Sequence, residues 1–149
     1  KVDNLPDELY SSLSHIDNIK LIKRATYDLV INSRAAIVTS GTATLETAIL
    51  NVPQVVCYKT SPLSYFIAKR LIKVPYISLV NLIMDREVVK ELIQDDLNTS
   101  NLKLELEQII SNAQQRTKML SEYDELRTVL GDADVSALAA DKMYAYLTV

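Results

Sequence analysis

The chain holds one cysteine, one histidine, two glycines and four prolines in 149 residues. Cys57 has no second thiol to pair with, so no internal disulfide forms. One cysteine and one histidine also fall short of the ligand set of a usual zinc site. Neither an apolar run of membrane-spanning length nor a secretory leader pattern is present, which by default predicts a cytoplasmic chain. Internal repeats and low-complexity tracts are absent too. A formal net charge of −3 weighs against nucleic acid as a partner, since such proteins are normally basic. What remains is a chain that is 48% hydrophobic and 23% charged, the composition of a globular domain with a core. It opens at Lys1 in a polar stretch without methionine, and the expectation is a piece of a longer protein.

The most informative stretch is Ser40-Gly41-Thr42-Ala43-Thr44-Leu45-Glu46. Before it, Ala35-Ala36-Ile37-Val38-Thr39 reads as a buried strand. After it, Leu45, Ala48 and Ile49 stand at helical spacing within Thr42–Leu50, and Val55-Val56-Cys57-Tyr58 reads as a second strand. The order strand, tight turn, helix, strand is a βαβ unit, and ligands bind at the carboxyl end of such strands. Gly41 lets the backbone turn sharply and come close to a ligand. The helix start behind it offers unpaired N–H groups and a positive dipole end, a natural phosphate site. Hydroxyls of Ser40, Thr42 and Thr44 stand beside those amides. Glu46, four residues past Thr42, lies one turn deeper, where it suits ribose hydroxyls better than phosphate. The alternative is a helix capped by Thr42 with Glu46 solvated. One glycine leaves both readings open.

Elsewhere the patterns are local. Lys1–Ser14 reads as a polar linker or loop, with His15 on the surface and Ile19-Lys20-Leu21-Ile22 a short strand candidate. A short helix is expected within Ala25–Ser33, ending near Asn32. Pro62 marks a helix start, and Leu63, Phe66, Ile67, Leu71 and Ile72 repeat along it among Lys69, Arg70 and Lys73. Such a basic, apolar helix suits either an anionic membrane surface or packing on the sheet. Pro75-Tyr76-Ile77-Ser78-Leu79 reads as a strand entering Asn81, and Asp85-Arg86-Glu87 as a helix start continued by Val88, Val89, Leu92 and Ile93. Arg86 there can fork onto phosphate, or Asp85 simply caps the helix. From Asn98 onward the pattern is helical. Thr99 or Ser100 caps a helix with Leu106, Ile109 and Ile110, a second carries Leu120, Tyr123, Leu126 and Leu130 and stops at Gly131, and a third runs over Asp134–Leu147. The domain reading is an α/β unit over 1–97 and a helical tail of the same domain over 98–149.

Read together, Ser40–Glu46, Tyr58–Leu63, Lys69–Leu79, Asn81-Leu82 and Arg86–Asp96 closely resemble the carboxyl-terminal part of the lipid-A-disaccharide synthase family. The match holds one register from about Ala35 to Leu97, and the tail resembles the family only in its helical pattern. The resemblance implies a Rossmann-like parallel sheet flanked by helices, the carboxyl-terminal half of an inverting, two-domain GT-B glycosyltransferase. Such an enzyme transfers 2,3-diacylglucosamine from its UDP derivative to 2,3-diacylglucosamine 1-phosphate, peripherally on the cytoplasmic face of the inner membrane of Gram-negative bacteria. It needs no cofactor.

By that resemblance Ser40, Gly41, Thr42, Ala43, Thr44 and Glu46 hold the UDP, while Asn81, Arg86 and Glu87 line the donor cleft. The general base is expected from an amino-terminal domain, so the chain alone should be inactive. The sequence departs from the family pattern at Val80 and Lys90, where proline is common, and at Asp85, where glycine is common. Asp85 beside Arg86 points as much to an ion pair orienting the loop as to a phosphate ligand. Two alternatives remain: another UDP-sugar enzyme of GT-B type, such as a UDP-N-acetylglucosamine epimerase or the peptidoglycan precursor transferase, or a noncatalytic interaction module.

Overall fold

A computed structural model describes residues 7–13, 16–71, 74–131 and 135–147. His15, Lys73 and Asp134 lie outside them. After a 3-10 turn at Asp7–Leu13, the elements are α1 (Thr26–Ile31), β1 (Ala36–Thr39), α2 (Thr42–Ile49), β2 (Gln54–Tyr58) and α3 (Pro62–Leu71). Then follow α4 (Leu79–Met84), β3 (Lys90–Ile93), α5 (Thr99–Ser111), α6 (Ala113–Leu130) and α7 (Val135–Leu147). The strands form one parallel sheet in the order β1-β2-β3, with Val38 opposite Val56 and Val56 opposite Glu91. Parallel strands need long crossovers, which α2 provides between β1 and β2, and α3 with α4 between β2 and β3. The expected α/β class with a parallel sheet flanked by helices is the observed one.

Burial follows from that topology. Val55 and Val56 on the central strand are fully buried, with Val89 and Leu92 beside them and Ala48 and Val80 from the crossovers. A strand enclosed on both faces reads as a continuous apolar run, as β2 does. The later helices complete the same core. Helix α5 packs on β2 and β3, and α6 lies against α2 and α4. Their Ile109, Met119, Tyr123 and Leu126 join the buried cluster. Three arginines tie these helices to loops at the amino-terminal edge of the sheet. Arg34 Nη2 donates to the Ile110 carbonyl at 2.8 Å, and Arg116 Nη1 to the Arg34 carbonyl at 2.6 Å. Arg127 Nη1 donates to the Ile49 carbonyl at 3.2 Å, at the negative end of α2.

Several local expectations are corrected. Residues 19–22 are irregular and exposed, outside the three-stranded sheet. The expected strand at Pro75–Leu79 is an irregular segment that ends in a helix N-cap: Ser78 Oγ accepts from the Asn81 amide at 3.3 Å and starts α4. The expected helix with Val88, Val89, Leu92 and Ile93 on one face is strand β3 with its approach. Spacings of one, three and four suit a helix, but adjacent β-branched Val88 and Val89 are both buried, which favours an enclosed strand. Asp85 therefore ends a helix instead of starting one. Asn98, not Thr99 or Ser100, caps α5, its side chain accepting from the Asn101 amide at 3.0 Å. Helix α3 does not pack as a sheet-facing helix would at the positions described: Leu63 is 70% and Phe66 53% exposed. The Arg70 guanidinium lies 4.3 Å from the Phe66 ring centroid.

Asp85 sits at φ 51 and ψ 31 as the C-cap of α4, in the left-handed region. Glycine adopts that conformation without steric cost, and aspartate tolerates it better than most residues. This is where the resemblance expects glycine. Asp85→Gly should raise stability by about 0.5 kcal/mol, the relief of backbone strain net of glycine's larger unfolded-state entropy. Urea unfolding measures it, and a fall in the midpoint would mean that the Asp85 carboxylate itself stabilises the loop.

Candidate functional site

The turn after β1 carries the candidate site. The Ser40 amide donates to the Cys57 carbonyl at 3.1 Å, extending the β1–β2 pairing by one residue. Gly41 then takes φ 150 and ψ −163, a region essentially reserved for glycine. A Cβ added there would meet nothing within 4 Å, so the requirement for glycine is torsional and the space beside it is open. Helix α2 begins at once, with Gly41 as its cap and no side chain closing its first turn. Thr44 is fully buried; its hydroxyl and its amide both donate to the Gly41 carbonyl, at 2.8 and 3.2 Å. Among the described residues no acceptor takes the amides of Thr42 and Ala43. Both residues are exposed. Two adjacent N–H groups at the positive end of a helix dipole are thus left open to an acceptor from outside the chain.

The three hydroxyls are not equivalent. Ser40 Oγ donates to the Ile77 carbonyl at 2.8 Å, and Thr44 is committed as described. Thr42 alone presents an exposed hydroxyl beside the free amides. Glu46 is exposed one turn further on the Thr42 face and makes no ion pair among the described residues. Cys57, at the carboxyl end of β2, is half-buried, and burial pushes its thiol up from the usual range. It fits the expected role of a small apolar residue.

The other three expected site residues stand elsewhere. Asn81 is fully buried. Its Oδ1 accepts from the Val88 and Val89 amides at 2.8 and 2.9 Å, and its Nδ2 donates to the Val89 carbonyl at 2.8 Å and to Glu91 Oε1 at 2.9 Å. Four bonds exhaust a side-chain amide, so Asn81 shapes the loop from within. Arg86 and Glu87 precede β3, at the amino-terminal edge of the sheet, whereas Gly41 follows β1 at the carboxyl edge. Arg86 is paired with Glu122 and Glu125 of α6. The hydrogen bond to Glu125 and the charges of both carboxylates hold its guanidinium above the usual range. Glu87 pairs with Lys90 at 3.4 Å and lines a cavity of about 300 Å³ with Gln54, Glu105 and Glu122. The structure thus gathers Ser40 to Glu46 into one place and does not bring Arg86 or Glu87 to it.

Sequence reasoning passed over Glu91 and Ser78. Glu91 is half-buried on β3, and its carboxylate accepts from the Ile77 amide at 3.0 Å, the Ser78 amide at 2.9 Å and the Ser78 hydroxyl at 2.7 Å. One signal was available: a carboxylate within Val88-Val89-Lys90-Glu91-Leu92-Ile93 needs several donors if that run enters a sheet.

Fold and site together define a parallel α/β domain with unpartnered backbone amides at the turn between a strand and a helix. The comparisons then narrow the class. The family model for lipid-A-disaccharide synthetase matches residues 9–142, and the chain belongs to that family. It is 44% identical over 108 residues to the lipid-A-disaccharide synthase of Acidobacterium capsulatum, covering 72% of this chain and 27% of that protein. With that of Anaeromyxobacter dehalogenans it shares 32% identity over 142 residues, 95% of this chain and 37% of the relative. With that of Aquifex aeolicus it shares 54% over 70 residues, 47% of this chain and 20% of the relative. The chain thus spans between a fifth and two-fifths of the length of these relatives.

Asn81 and Arg86 predict opposite mutational behaviour. Asn81→Ala strips partners from the buried Val88 and Val89 amides and should lower stability by about 2–4 kcal/mol. Arg86→Ala removes the ion pairs of an exposed guanidinium with Glu122 and Glu125 and should leave the urea midpoint close to that of the wild type. Equal shifts for the two would contradict these assignments.

Proposed function

We propose that this chain holds the UDP of the sugar donor in a glycosyltransferase of lipid A biosynthesis. The reaction read from the family is inverting transfer of 2,3-diacylglucosamine from its UDP derivative to 2,3-diacylglucosamine 1-phosphate, within a two-domain GT-B enzyme. In this reading the diphosphate rests on the free amides of Thr42 and Ala43, with Gly41 shaping the turn and the Thr42 hydroxyl beside them. Glu46, one turn deeper, accepts hydrogen bonds from the ribose hydroxyls. Ser40 and Thr44 hold the turn through their bonds to the Ile77 and Gly41 carbonyls. The supporting observation is the pairing of unpartnered amides with an exposed carboxylate one helical turn away. The base that activates the acceptor hydroxyl is assigned to an amino-terminal domain facing this one. Peripheral attachment to the inner membrane belongs to the same proposal. It is supported by exposed Leu63 and Phe66 on α3 beside Arg70; no helix among the described residues is long and apolar enough to cross a membrane.

Two substitutions test the nucleotide reading by calorimetric titration with UDP. Gly41→Val forces a β-branched residue into a glycine-only conformation and should abolish binding with most helix content retained. Full affinity in that variant rejects the cradle. Glu46→Ala should weaken UDP tenfold to a hundredfold, because hydrogen bonds to a charged group contribute about 1.5–3 kcal/mol each and about 1.4 kcal/mol is one decade. Its effect on 2′-deoxy-UDP should be smaller, since one partner hydroxyl is missing. Equal losses for both nucleotides reject the ribose role.

A further inference from the structure

We infer that Glu91 is a positioning residue for the nucleotide-binding turn, acting on Ser40 through the single peptide unit between Ile77 and Ser78. The inference rests on the nucleotide reading above and extends it to a residue that stands on a different strand. Strand β3 places Glu91 opposite Val56 on the central strand, and its carboxylate receives four hydrogen bonds. Three of these donors meet Oε1 and one meets Oε2, and together they fix the segment 77–81 in one arrangement.

The Ile77–Ser78 peptide is held from both sides. Its N–H, on Ser78, donates to Glu91 Oε1 at 2.9 Å, and its C=O, on Ile77, accepts from Ser40 Oγ at 2.8 Å. A negative charge at the N–H polarises the peptide and makes its carbonyl the stronger acceptor. The Ser40 proton is thereby committed to Ile77, and Ser40 is pinned one residue before the glycine that sets the turn. Since the Ser40 amide also donates to Cys57, both polar ends of the residue are fastened. The amides of Thr42 and Ala43 follow directly, so their aim depends on where Ser40 is held. A misplaced donor costs an anion site far more than it costs the fold.

Glu91→Gln keeps the shape but turns one acceptor oxygen into a donor facing N–H groups. By calorimetry it should weaken UDP about tenfold. In a Ser40→Ala background the same change should cost less than threefold, because the link is already cut. Equal losses in both backgrounds would reduce Glu91 to general structural support and overturn the inference. Amide hydrogen exchange reads the same link without nucleotide: Glu91→Gln should speed exchange at the Ser40 amide several-fold, and an unchanged rate overturns it. A wild-type protein that binds no UDP would count against the nucleotide reading alone, since the exchange result would still stand. Should Glu91→Gln not fold, the link is read from its other end. Ser40→Ala should speed exchange at the Ser78 amide, Ser40→Thr, which retains the hydroxyl, should not, and equal behaviour of the two again overturns the inference.

Discussion

Parallel pairing of β1, β2 and β3 is the constraint from which the rest of the molecule follows. Strands that all point one way cannot be joined by tight turns, so each connection must leave at one edge of the sheet and return at the other. The turn that opens α2 therefore lies at the carboxyl edge. The segment that enters β3, with Arg86 and Glu87, lies at the amino edge. The two edges serve different purposes. At one, backbone amides stay free beside a glycine; at the other, arginines bind helix and loop carbonyls and carboxylates.

Such a sheet also has to be covered on both faces. The crossovers supply Ala48 and Val80, but much of the cover comes from later in the chain, in Ile109, Met119, Tyr123 and Leu126. Tyr123 shows how tightly: it is fully buried, burial pushes its phenol well up, and its hydroxyl lies 3.4 Å from Gln54 Nε2. The helices over 99–130 are thus integral to the α/β core.

Apart from Gln54 Oε1, which has no partner among the described residues, the polar groups drawn into this core are joined to one another. Glu91, Asn81 and Ser78 satisfy each other and the amides of residues 77, 78, 88 and 89. A network of that kind is stabilising only when every member is paired, because an unpaired buried polar group costs about 1–3 kcal/mol. It gives residues 77–89 one defined shape, although only α4 within them is regular structure. Through Ile77 that shape reaches the turn at Ser40.

The sequence by itself determined β1, α2 and β2 as elements, because apolar runs, a glycine turn and a helical repeat are each written in consecutive residues; the expected burial of β1 is corrected, since only Val38 on it is buried and Ile37 is exposed. It also determined the helices that end at Gly131 and Leu147, where long periodic patterns are hard to mistake. Only the tertiary structure decided the segment from Pro75 to Ile93. There a helix and a strand exchanged places with the local expectation, because six-residue apolar runs fit both periods and their neighbours choose between them. It alone decided that Asn81 faces inward, that Arg86 meets Glu122 and Glu125, and that Glu91 lies within reach of Ile77. Those facts depend on which edge of the sheet a loop occupies, and that is set by strand direction and register, which pair residues far apart in the chain.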